Sequence, residues 1–219
     1  MGDDAPGGGG SAASTGQAAD SDTEGAAAPE GRAPPARVPR CFVFDLDNCC
    51  WTPEMYQMSS GFSYDGARNV CRSRRGGETV RLLGDVAHVW NTIRTDPAFG
   101  GAAIAVASCC DEPAWARELL ALFEVSEGIK MQDCIAHTEI RFGNKQTHLR
   151  RISEVLKIPL EDMVFFDDQH GHCRNARALG VVSVQVPHGG VTRAAFKQIL
   201  DEFAQSEPGR ARAARAETT

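Results

Sequence analysis

The chain has 219 residues, 42% of them hydrophobic, enough for one sizeable α/β core. A net charge of −6 gives no reason to expect a nucleic-acid or anionic-membrane partner, and no apolar run approaches the roughly 20 residues of a membrane helix. The start, MGDDAPGGGGSAASTG, lacks the basic and apolar regions of a secretory signal, so the eight cysteines are expected to be reduced thiols in a cytoplasmic or nuclear protein.

Residues 1–40 are Gly, Ala, Ser, Pro, Asp and Glu with almost no large apolar side chain, and read as a disordered low-complexity tail. The folded domain is expected over 41–204. Its first buried strand is CFVFD at 41–45. Residues 52–80 are polar and glycine-rich and read as a hairpin or flap rather than a cap domain. A second strand, AAIAVAS at 102–108, precedes a helix that Asp111 can cap, with Trp115, Leu119, Leu122 and Phe123 on one face. CIAH at 134–137 is the third strand, followed by a helix carrying Leu149, Ile152 and Leu156. MVFFD at 163–167 and VVSVQV at 181–186 are the fourth and fifth, separated by a short helix ending at Gly180. Thr192 can cap a last helix bearing Phe196, Ile199, Leu200 and Phe203; the residues from 205 to 219 read as a flexible tail. Alternating strands and helices predict an α/β protein, a three-layer α/β/α Rossmannoid sandwich around a five-stranded parallel sheet.

In such sheets ligands sit beyond the carboxyl ends of the strands. Three strands end there in groups suited to chemistry: Asp45 and Asp47 after the first, Ser108 after the second, Asp167 and Asp168 after the fourth. Lys145 opens the helix before the fourth strand. Each alone is as well explained by a turn, a cap or a solvated charge; their joint order is much harder to obtain by accident.

The segments VFDLD, VAS, GNK and VFFDD resemble, in order, the four motifs of the haloacid dehalogenase-like (HAD) superfamily of phosphotransferases. Trp51, the turn Arg74-Arg75-Gly76, the run Val80–Leu82 and KIPLEDMVFFDD at 157–168 are similar to its magnesium-dependent phosphatase family. The resemblance implies strand order 5-4-1-2-3 and a phosphatase acting on phosphomonoesters through an aspartyl-phosphate. It implies Asp45 as nucleophile and Asp47 as general acid and base. Mg²⁺ would be held by Asp45, the Asp47 backbone carbonyl and Asp168, with Asp167 in support, although the residues leave open which of that pair binds. Ser108 and the Cys109 N–H would bind phosphate oxygens, and Lys145 would neutralise the phosphoryl group. With a flap in place of a cap the site is expected to be open, for phosphoprotein or phosphotyrosine substrates, with sugar phosphates equally allowed.

Cys49, Cys50, Cys109 and Cys110 depart from the usual motif residues, and the cationic side chain that often follows the serine is missing. They read either as packing or as oxidisable thiols near Lys145. The departures also support a rival reading, a catalytically weak phosphate- or phosphoprotein-binding module. QHGHC at 169–173 reads as polar residues opening a helix beside the site, with a soft-metal site including Cys49 as the less economical alternative.

Overall fold

The computed structural model describes residues 37–59 and 61–206; residues 1–36 and 207–219, which hold most of the two expected tails, lie outside the described residues. In chain order the elements begin with β1 (Cys41–Phe44), β2 (Trp51–Thr52), β3 (Phe62–Asp65), β4 (Val70–Ser73), β5 (Thr79–Leu82) and α1 (Val86–Thr95). Next come β6 (Ala103–Ser108), α2 (Pro113–Leu122), β7 (Glu124–Ser126), β8 (Ile129–Lys130) and β9 (Ile135–Ile140). The chain continues through α3 (Lys145–Leu156), β10 (Met163–Asp167), α4 (His170–Arg177), β11 (Val182–Gln185) and α5 (Arg193–Gln205).

The five long apolar runs form one parallel sheet in the order β11-β10-β1-β6-β9, the order the resemblance implies. β1 is central, with Phe44 in register with Phe166 of β10 and Val106 of β6. The residues just past the ends of these strands therefore emerge along one edge of the sheet. β1 is buried along its whole length, as a strand covered on both faces must be. Alternate residues serve opposite faces: Phe42, Phe44, Val164 and Phe166 pack with Trp90, Ile199 and Phe203, while Val43, Ala105 and Phe165 pack with Leu149, Ile152 and Ala176. The rings of Phe44 and Phe166 stack at 4.8 Å.

Several local expectations are corrected. α2 starts after Glu112, not under an Asp111 cap, because Pro113 with its fixed φ and missing N–H opens the helix. The third strand begins one residue later than expected and runs on to Ile140, since Met131–Cys134 closes a 3-10 turn. α1 is an element the sequence reading lacks, though Val86, Val89, Trp90 and Ile93 lie at helical spacing and are buried. Thr192 does cap α5, its side chain accepting from the Ala195 N–H at 3.1 Å. The flap is more than a hairpin: β2, β5, β4 and β3 make a four-stranded antiparallel sheet. It is tied to the body where Glu118 accepts from the Phe62 N–H at 2.9 Å and Asn69 donates to the Glu124 carbonyl at 2.8 Å. Packing also begins before residue 41. Arg37 pairs with Asp162 and lies 4.1 Å over the Phe203 ring, and the Arg40 N–H donates to the Asp162 carbonyl.

Candidate active site

Asp45 continues the ladder of β1, donating its N–H to the Phe166 carbonyl at 2.9 Å. The chain then turns back sharply. The N–H groups of Cys50 and Trp51 both reach the Leu46 carbonyl, and Asn48 takes the left-handed conformation that asparagine tolerates. This turn brings Trp51 beneath Asp47, whose Oδ1 accepts from the indole Nε1 at 2.8 Å while Oδ2 accepts from the Met55 N–H at 3.2 Å. Burial pushes the Asp47 carboxyl above its ordinary range, against these two hydrogen bonds.

Lys145 is the first residue of α3, whose start is capped by Asn144 accepting from the Thr147 N–H. The residue is 1% exposed. Its ammonium donates to Asp45 Oδ1 at 2.5 Å and to the Ala107 carbonyl at 2.6 Å, and lies 3.1 Å from Asp167 Oδ2. Burial alone would discharge this lysine, but the two carboxylates outweigh it and hold it cationic. Burial likewise raises Asp45, to about 7, with Lys145 pulling it back.

Asp167 is fully buried. Burial would raise it, but His172 Nδ1 at 3.1 Å and the charge of Lys145 keep it below the ordinary carboxylate range. Its Oδ1 also accepts from the Gln169 N–H at 2.8 Å. Asp168 differs. Its Oδ1 is buried with no hydrogen-bond partner among the described residues, and burial raises its pKa. Carboxylate oxygens of Asp45, Asp167 and Asp168 come within 4.8 Å of one another. An all-oxygen set with one buried, unpartnered oxygen suits a hard divalent cation such as Mg²⁺. Because Asp167 is already occupied by Lys145, His172 and a backbone N–H, Asp45 and Asp168 are the donors with capacity left.

Ser108 closes β6 at 1% exposure, its Oγ accepting from the Cys110 N–H at 3.3 Å. Cys109 is half-buried and its thiol donates to the Gly143 carbonyl at 3.2 Å, linking this loop to the one before Lys145. Asp45, Asp47, Ser108, Cys109, Lys145 and Asp168 thus line one cleft at the carboxyl edge of the sheet. Asn48, Glu54 and Tyr56 line it too, and the sequence reading does not single them out. They follow the first motif on a turn and a short 3-10 helix (Met55–Gln57), where no periodicity marks them. His172, which reads in the sequence as part of a helix opening or of a soft-metal alternative, proves to be a partner of Asp167.

The structure favours the packing reading of the cysteines over the oxidisable one. Cys49 and Cys50 are fully buried, with thiols donating to the Phe166 and Asp45 carbonyls. Burial pushes Cys110 up to about 12 and raises Cys109 despite the nearby Lys145. The soft-metal alternative is likewise not assembled, since Cys49 points at a backbone carbonyl and His172 at Asp167.

A buried carboxylate paired with a buried lysine, a second carboxylate two residues on and a third with an unpartnered oxygen across the cleft, all on this Rossmannoid sheet, match a HAD-like phosphotransferase. The chain belongs to the acid phosphatase family, whose model matches residues 37–206. It is 30% identical over 182 residues to human Magnesium-dependent phosphatase 1, covering 80% of this chain and 92% of that protein. Among solved structures it is similar to the N-terminal, phosphatase-containing part of BF1531 from Bacteroides fragilis, complexed with Mg. The TM-score is 0.52 at 21% identity, over 74% of this chain and 40% of that one, a likeness of fold.

Proposed function

We propose that this magnesium-dependent phosphatase works through an aspartyl-phosphate on Asp45 and acts on phosphoproteins, phosphotyrosine included. The observation that carries the reading is the Asp45 carboxylate held 2.5 Å from buried Lys145 while lining the cleft with Asp168. Asp45 attacks phosphorus, and the bond to the leaving oxygen breaks as Asp47 gives that oxygen its proton. Burial shifts the Asp47 pKa upward, the direction a proton-donating carboxyl needs. Asp47 then takes a proton from water, whose oxygen attacks phosphorus and frees Asp45 and inorganic phosphate. Ser108 and the Cys109 N–H orient the phosphoryl oxygens, and Lys145 offsets their charge. Asp45, the Asp47 carbonyl and Asp168 would hold Mg²⁺, which when bound would supply the positive charge that offsets repulsion between the attacking carboxylate and the phosphate dianion.

A site bordered by a small antiparallel flap, with no cap domain among the described residues, supports a substrate whose phosphate stands out from a large carrier. A cytoplasmic setting belongs to the same proposal, supported by eight cysteines that are all unpaired. The test is turnover of a generic aryl phosphate and of a phosphotyrosine peptide. Both should require Mg²⁺, stop on chelation and resume when Mg²⁺ is restored. No turnover with Mg²⁺ present would overturn the reading in favour of a binding module.

A further inference from the structure

The inner wall of the cleft handles phosphate, and its outer lip meets whatever carries the phosphate. The lining's lysine and histidine are both committed inward, Lys145 to Asp45 and Asp167 and the His172 ring to Asp167. The lip has the opposite character. Glu54 is held in place by Asn48, whose Nδ2 donates to its Oε1 at 2.8 Å, and its negative charge is felt at both Asp47 and Asp168. Asp111 is exposed at the mouth, and Tyr56 lines the cleft with 61% of its surface open. Where a cationic side chain often follows the motif serine, this chain places Cys109 and Cys110. Among the described residues no arginine lines the cleft, and the flap's Arg74 and Arg75, on the turn between β4 and β5, are outside its lining.

A phosphate whose carrier bears further negative charge is therefore repelled at the lip, and one flanked by cations is drawn to it. An exposed aromatic ring beside two carboxylates suits a guanidinium or ammonium group, which can use the ring face as well as the charges. We propose that Glu54, Asp111 and Tyr56 make this phosphatase selective for phosphorylated side chains within basic polypeptide segments. The inference deepens the proposed phosphatase function and rests on it.

The test is steady-state kinetics on two phosphotyrosine peptides of equal length, one flanked by arginines and one by glutamates, beside an aryl phosphate and phosphoethanolamine. At low salt kcat/KM should favour the basic peptide by about tenfold, the scale of two or three partly exposed charge contacts. That ratio should shrink as salt is added and collapse toward unity in Glu54→Gln/Asp111→Asn. Tyr56→Ala should lower it partway. The ratio and its salt dependence are read within each protein, so a loss of overall rate in a variant does not obscure them. Phosphoethanolamine should be the poorer substrate; if it surpassed the basic peptide, the lip would serve small ammonium esters and the polypeptide assignment would fall. Equal kcat/KM for the two peptides, with the aryl phosphate turned over, would overturn the inference and leave the phosphatase reading standing. Failure on all four esters would overturn both.

Discussion

His148 lies on α3 three residues beyond Lys145, fully buried, with neither ring nitrogen hydrogen-bonded among the described residues. Burial, then the charges of Lys145 and Arg141, lower its pKa from 6.5 to about 4. The folded value lies below the unfolded one, so unfolding takes up a proton between them. Stability is complete above the unfolded value and lost as pH falls toward the folded one. His148→Leu should match or exceed wild-type stability at neutral pH, because no hydrogen bond is lost. It should also lose less on acidification, as melting temperatures between about pH 7 and 4 would show; parallel loss in both proteins would contradict this. Lys145→Met leaves Asp45 and Asp167 buried against each other. The melting temperature should fall by the equivalent of a few kcal/mol, about what breaking a buried pair costs. Turnover should drop about a hundredfold or more. Added Mg²⁺ should raise the melting temperature of this variant more than that of wild type. Trp51→Phe removes the indole donor from Asp47 and should slow poor leaving groups about tenfold while sparing good ones. An equal loss for both would separate Trp51 from the general acid.

At the scale of elements, the loop before α5 holds the turn that carries the first motif. Gly190 has φ +77° there, and a Cβ on it would come 2.3 Å from Leu83 Cβ and 2.6 Å from the Cys49 carbonyl. The Val191 N–H donates to that same carbonyl. Gly190→Ala should therefore destabilise by at least about 2 kcal/mol and lower kcat, since relieving the clash displaces the turn behind Asp45. An unchanged denaturation midpoint would refute this close approach. The strands are legible in the sequence because a sheet covered on both faces demands unbroken apolar runs such as Phe42-Val43-Phe44 and Val164-Phe165-Phe166. Asp45, Ser108 and Asp167 are legible because each ends such a run, and Lys145 because it opens a helix in the motif order. Glu54 and Tyr56 are not, since their placement depends on the turn at Leu46 and on the flap sheet, neither of which has a period. α1 escapes the sequence reading although its apolar spacing is present, and Asp111 is misread as a cap because the proline two residues on sets the start of the helix. The hydrogen-bonded thiols of Cys49 and Cys50 depend on burial that tertiary packing alone decides.

Over the molecule as a whole, the described fold is one sheet with a flap at its carboxyl edge, and its N-terminal boundary can be tested sharply. Removing residues 1–36 should leave the melting temperature unchanged, whereas removing 1–38 deletes Arg37 and its contacts with Asp162 and Phe203. The second truncation should cost about 1–3 kcal/mol, the scale of a largely buried ionic contact with its stacked ring. Identical melting curves for the two would show that the domain begins later. The central claim is that β1 delivers Asp45 as a nucleophile which becomes phosphorylated in every turnover. Its most direct measurement is acid quench of the enzyme during steady-state turnover of an aryl phosphate with Mg²⁺, followed by peptide mass mapping. The account predicts one phosphoryl group on the peptide containing Asp45, absent without Mg²⁺ and absent, with turnover abolished, in Asp45→Asn. Full turnover by that variant, or a phosphoryl group carried on another residue, would contradict it.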